Sequence, residues 1–321
     1  MAAIRRNIMF DIDARDKFLR GMVMLAEEST EFMAQDVLDY IQSSGVQLPM
    51  SGIDQSLTTY DLFVFWHIYA MNVMYSTGNA AHGGPVFLPW HRMYLIRLEQ
   101  NLQRVLNDRN FGLPYWDWAE DGELSRFDQI RTDLWSADYI GEPRGRVRSG
   151  LIGRMRVKLL GGTIDNAPVL FSISPRRLER RSGLSSRSRS LPNQDDVAWC
   201  LNQQEYDRPP WSANSISHRN ILEGWIDGPQ LHNLVHVWIG GDMGPGTSPN
   251  DPVFFLNHCN VDRIWESWMA ENGRTYRPSN NEGTPGHRLD DLMVSILADP
   301  MTPAQVLDPS DWYTYDNLVV I

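Results

Sequence analysis

Cysteine is nearly absent. The 321 residues hold two, Cys200 and Cys259, with no C-x-x-C spacing. That excludes a disulfide framework and fits a reducing compartment. No apolar run approaches the roughly 18–20 residues that span a bilayer, so no membrane helix is expected. Positive charge is also short: 29 Lys and Arg stand against 40 Asp and Glu, leaving −11. A chain this acidic overall is not a nucleic-acid binder by composition. Near the N-terminus Arg5 and Arg6 have no apolar stretch behind them, and Asp11, Asp13 and Asp16 arrive too early for a secretory signal. The expected location is therefore the cytoplasm, unless a carrier protein takes the chain out. No solenoid-type repeat is visible.

What the chain does have is aromatic bulk. Twelve tryptophans and 42% hydrophobic residues are enough for one large core or two domains. Helical spacing of Phe18, Met22, Leu25, Phe32 and Val37 predicts a helix over 14–45. Residues 60–76 are apolar nearly all round and predict a buried helix carrying His67. Pro89 is expected at the first position of a helix reaching about Val105. FGLPYWDWAEDG then reads as an aromatic loop. Pro229 is expected to open PQLHNLVHVWIGG, closed by Gly240 and Gly241. Asn250 or Asp251, followed by Pro252, is expected to cap a helix that ends at Gly273. Between the two helix pairs, residues 142–190 hold twelve Arg or Lys and three Asp or Glu. This local +9 predicts an exposed basic loop insertion, most of all at RRLERRSGLSSRSRS, residues 176–190.

The histidines carry the chemistry. Six of the eight, His67, His82, His91, His232, His236 and His258, lie on or beside these helices. One imidazole on an apolar face is ordinary; six are not, because each needs a partner when buried. His232 and His236 are four apart and share a helix face. A zinc-protease reading needs Glu after the first of them, and Asn233 stands there. His258 follows on the next helix and completes a set of three; His67, His82 and His91 form a second set. Three neutral imidazoles without thiolate or carboxylate suit copper, zinc or iron. A ferritin-like di-iron site would need Glu-x-x-His pairs, which the helices lack. Two sets suggest two metals. Two Cu(I) ions can give dioxygen two electrons, where one ion gives one.

HGGPVFLPWHRMYLIRLEQNL, YWDW, GPQLHNLVHVWIGGDMG and NDPVFFLNHCNVDRIW resemble the tyrosinase family of type-3 copper proteins, especially its short bacterial members. The resemblance covers most of residues 60–270. It implies a mainly α fold, a central four-helix bundle holding a dinuclear copper site among long irregular loops, and a single catalytic domain over 1–321. It implies two copper ions, one on His67, His82 and His91 and the other on His232, His236 and His258, with dioxygen as co-substrate and a small phenol as substrate. The implied reaction is o-hydroxylation of monophenols and oxidation of o-diphenols to o-quinones. Two alternatives share these ligands: a catechol or o-aminophenol oxidase without monophenol hydroxylation, and an oxygen carrier. A copper-delivery or caddie protein is an expected partner.

Finer roles follow from the same resemblance. Glu223 and Asn233 are implied to hold a water that takes the proton from a monophenol, which ionises only near pH 10. Val237 stands where some bacterial members carry Arg. That disfavours free tyrosine and favours a less charged phenol or an o-aminophenol, unless an Arg from 144–156 compensates. Phe254 is expected over the copper pair, with Met243 and Pro245 at the pocket rim. Asn257 stands where many members carry an extra His, Cys259 reads as a small buried hydrophobe, and no cysteine lies near His82 to form a thioether. Asn260 and Asp262 are expected to orient the imidazoles or to end helices. His218 and His287 are expected at the surface or as capping residues. Tyr313 and Tyr315 resemble the motif that closes the catalytic domain in longer members; no shielding domain is expected after them.

Overall fold

Ten helices carry the described part of the chain: α1 Ile12–Glu27, α2 Ala34–Ser43, α3 Thr59–Asn72, α4 Phe87–Leu106, α5 Trp118–Gly122, α6 Gln194–Leu201, α7 His218–Glu223, α8 Leu231–Ile239, α9 Val253–Asn272 and α10 Pro303–Val306. The computed structural model describes residues 2–43, 56–159, 163–164, 167–168, 171–188, 190–226 and 230–320. The described strands are short and pair in twos. The fold is mainly α, as expected.

α3 forms because Thr58 and Asp61 close a capping box at its start, satisfying backbone amides that the first turn leaves free. Every residue from Tyr60 to Ala70 is buried, in line with its all-round apolar sequence. α4 starts at Phe87, so Pro89 lies inside the first turn rather than opening it. Proline is tolerated there because that turn's amides have no intrahelical acceptor. α4 crosses α9, α8 packs on α9, and α1 lies against α3 and α4. Side chains tie α3 to α4: the Tyr94 hydroxyl donates to the Phe63 carbonyl at 2.8 Å, and Trp66 meets Trp90 edge-on. A contiguous apolar cluster joins these helices.

Three larger expectations also change. The single helix over 14–45 is broken: Ser29–Met33 is a strand paired antiparallel with Ser56–Thr58. The Thr30 hydroxyl donates to the Leu57 carbonyl, and Phe32 is exposed. The available partner strand overrides the helical periodicity. Next, α5 interrupts the aromatic loop, with Asp117 accepting the Ala119 amide. Finally, the basic run is not solvated throughout. Arg144–Arg146 pairs with Glu179–Arg181, and Val157–Leu159 with Phe171–Arg176. Arg180 is fully buried; it binds Asp251 through two hydrogen bonds of 2.6 and 2.8 Å and donates to the carbonyls of Ile140, Gly141 and Glu142. A guanidinium can be buried where a carboxylate and several carbonyls occupy its donors.

Asp251 also accepts the Val253 amide at 3.1 Å, at the start of α9, while Pro252 is the residue that directly precedes the helix. The expectation placed on Pro229 lies outside the described residues. At the chain ends Ala3–Arg5 pairs parallel with Tyr313–Tyr315. This seats buried Arg5 between Glu99 and Asp262.

Candidate metal centre

Five of the six histidines come from four helices, and His82 comes from the turn before α4. His67 is on α3, His91 on α4, His232 and His236 on α8, and His258 on α9. The ligating nitrogens of His67, His82 and His91 all lie within 4.8 Å of one another, as do those of His232, His236 and His258. The two groups touch: the rings of His91 and His258 stack with centroids 4.2 Å apart. The helical interval of four puts His232 and His236 on one face. His91 and His258 meet because α4 packs against α9.

Each group is oriented from behind. The Nδ1–H groups of His67, His91 and His236 donate to the carbonyls of Gly246, Phe87 and Met243 at 2.8, 2.8 and 2.7 Å. A carbonyl only accepts, so these hydrogen bonds fix the proton on Nδ1 and leave Nε2 as a lone pair. His232 Nδ1 lies 3.2 Å from the Glu223 carbonyl and 3.1 Å from Asn233 Oδ1. Nε2 of His67, His91 and His236 is buried with no protein partner. Nε2 of His232 faces Nε2 of His258 at 3.0 Å. Lone pairs converging in a buried space call for a cation.

Burial also keeps the rings neutral. It pulls His67 down to about 3 and His236 to about 4, and drives His82, His91, His232 and His258 well below the usual imidazole range. Removing charge from water is costly, and the neighbouring imidazoles repel a second proton. Neutral imidazole is the form that binds metal, so protons do not compete near pH 7. The residues present therefore fit two metal ions.

A cavity of about 470 Å³ opens on this centre, lined among others by His67, His82, His232, His236, Asn233, Val237, Pro245, Trp225 and Arg187. Val237 and Pro245, two of the four pocket residues expected from the sequence, line it. Met243 and Phe254 do not line the cavity: Met243 is buried and lends its carbonyl to His236, while Phe254 packs against the rings of His258 and His67 at 4.1 and 5.1 Å. Glu223 is also out of the cavity, wholly buried. Its Oε1 accepts the Gly83 amide at 2.6 Å and its Oε2 pairs with Arg219 at 3.1 Å. Burial raises its pKa, and Arg219 opposes that rise. Asn233 Nδ2 donates to the Gly224 carbonyl. Cys259 is buried, its thiol pushed up to about 12 by burial. Asn260 and Asp262 face Arg263 and the Arg5–Arg92 cluster rather than an imidazole.

His218 and His287 are corrected from surface to core; both are fully buried. His218 stacks on Trp268 and contacts Cys200 Sγ at 3.5 Å. His287 Nε2 donates to the Asn79 carbonyl at 3.0 Å, and the Asn79 side chain accepts the amides of Ala81 and His82. Gly84 has no side chain because a Cβ there would come within 2.3 Å of the His287 ring. His287 and Asn79 thus hold the turn that presents His82. The sequence offered no pattern for them, since their partners lie about two hundred residues apart.

The family model described as the common central domain of tyrosinase matches residues 57–271. A tyrosinase from Streptomyces glaucescens is 38% identical over 275 residues, covering 85% of this chain and 92% of that one. Grixazone synthase from Streptomyces griseus subsp. griseus is 36% identical over 288 residues, covering 80% and 90%. Among solved structures, a mutant polyphenol oxidase from Thermothelomyces thermophila has the same fold, with a TM-score of 0.71 at 21% identity over 98% of this chain and 89% of that one.

Proposed function

The chain belongs to the tyrosinase family, and from that premise we propose that it is a dicopper oxidase that uses dioxygen to hydroxylate monophenols and to oxidise o-diphenols to o-quinones. The observation that carries this reading is the pair of touching histidine triads, largely buried, neutral and held by backbone carbonyls at His67, His91 and His236. His67, His82 and His91 would hold one copper and His232, His236 and His258 the other. A copper pair supplies the two-electron chemistry with dioxygen that phenol oxidation requires.

The chain's own residues do the remaining work. Pro245, Val237 and Trp225 form walls against which a phenol ring can lie. The carbonyls of Gly246, Phe87 and Met243 fix the imidazole tautomers and hold the rings in place. We propose that Glu223, from behind the cavity wall, and Asn233, on that wall, together hold the water that takes the proton from a monophenol. Supporting this, the Glu223 carboxylate grips the amide next to His82, its carbonyl meets His232, and Asn233 reaches from His232 to the cavity. Domain extent and location belong to the same proposal: one catalytic domain over 1–321, placed in the cytoplasm. Two cysteines kept as free thiols fit that location, and no described helix is long and apolar enough to cross a membrane. A copper-delivery protein is the proposed partner.

The test is oxygen uptake by copper-loaded protein supplied with 4-methylphenol, 4-methylcatechol or 2-aminophenol. Uptake with all three is expected. Glu223→Gln is expected to slow 4-methylphenol about 10²-fold or more and to move its pH profile, with a far smaller effect on 4-methylcatechol. Uptake confined to the two ortho-substituted compounds would replace this reading with an oxidase lacking hydroxylation. An equal loss on phenol and catechol would make Glu223 a positioning residue only.

A further inference from the structure

The cavity mouth carries one formal charge among the described residues, and it is positive. Arg187 lines the cavity together with Val237, Gln230 and Asn233. No described Asp, Glu or Lys lines it. Arg187 is exposed, and its guanidinium makes no ion pair with a described residue. Three other arginines of the basic segment are committed: Arg176 pairs with Asp242, Arg180 with Asp251, and Arg144 donates to the Ser182 carbonyl. No residue from 144–156, the stretch expected to supply a compensating arginine, lines the cavity.

From this placement we infer that Arg187 is a specificity-determining residue that binds a carboxylate on the ring substituent of the substrate, so that acidic phenols are the preferred class. The inference rests on the phenol-oxidase reading above. A phenol enters with its hydroxyl toward the histidines, so a substituent on the far side of the ring lies toward the rim. Val237 leaves that end apolar on α8, and the free guanidinium supplies the charge that α8 lacks. Arg is suited to the task because its planar fork matches a carboxylate with two parallel hydrogen bonds. Its location on a segment of charge +9 adds a field that draws anions toward the mouth, although the whole molecule is acidic.

The experiment compares 3-(3,4-dihydroxyphenyl)propanoate with its uncharged amide; two methylene groups keep the ring electronics alike. With copper-loaded protein at low salt, kcat/KM is expected to be about five- to tenfold higher for the acid, the range of a partly exposed charge-assisted contact. The preference is expected to shrink as salt screens the charge. Arg187→Gln should bring the ratio close to one, and Arg187→Lys should restore part of it. A wild-type ratio near one, or a ratio that Arg187→Gln leaves intact, overturns the assignment. Calorimetric binding of the non-oxidisable 3-phenylpropanoate and its amide reads Arg187 independently of turnover. If neither catechol is oxidised, the phenol-oxidase reading fails. A binding preference for the acid that is lost in Arg187→Gln would still support the anion site, and equal binding would overturn it.

Discussion

At the scale of single residues, buried histidines make this protein less stable in acid. His218 and His287 bind no proposed metal, yet burial lowers them to about 3 and about 4. In the unfolded chain they titrate near 6.5. Below that pH the unfolded state takes up protons that the native state refuses, so their contribution to stability is full above about 6.5. It is lost progressively as the pH falls toward 4 and 3. Each is expected to cost about 2 kcal/mol by pH 5. Urea midpoints of metal-free protein at pH 7.5, 6 and 5 should fall in that order. His218→Gln should flatten the fall, and an unchanged slope would contradict it. These two side chains were misread in the sequence because a solitary histidine outside a pattern looks like surface. Only the fold supplies Trp268 for one and Asn79 with Gly84 for the other.

At the scale of elements, what was legible was what local chemistry decides. α3 follows from its capping box and apolar sequence, α9 from its apolar sequence and the Gly273 stop, and α4 is found within two residues at its start. The break between α1 and α2 was not legible, since residues 29–33 become a strand only when 56–58 arrive beside them. The basic segment shows the same limit: counting charges finds the +9, but not that Arg180 is buried on Asp251 at the head of α9. That pair joins the basic segment to the helix carrying His258. Asp251→Asn would leave a buried guanidinium without its counter-charge, and a loss of about 3–5 kcal/mol is expected in denaturant unfolding. Replacing Arg180 and Asp251 together by Met and Leu should recover part of it. If Asp251→Asn unfolds at the wild-type midpoint, the pair does not tie segment to helix as described.

At the scale of the whole molecule, the six histidines were legible because residue type and spacing alone set them apart, and the fold brings them into two groups. The surroundings were less so. Which residues face the cavity depends on how distant segments pack: Arg187 reaches the mouth from the basic segment, while Met243 and Phe254, beside ligand histidines in sequence, turn into the core. The central claim is that the two triads each hold one copper ion, and metal content tests it most directly. After copper loading and removal of loosely bound metal, elemental analysis should give two copper atoms per chain, falling to about one in both His91→Ala and His258→Ala, provided each variant keeps the wild-type circular dichroism spectrum. One copper or fewer per wild-type chain, or a different metal held tightly in its place, would contradict the account.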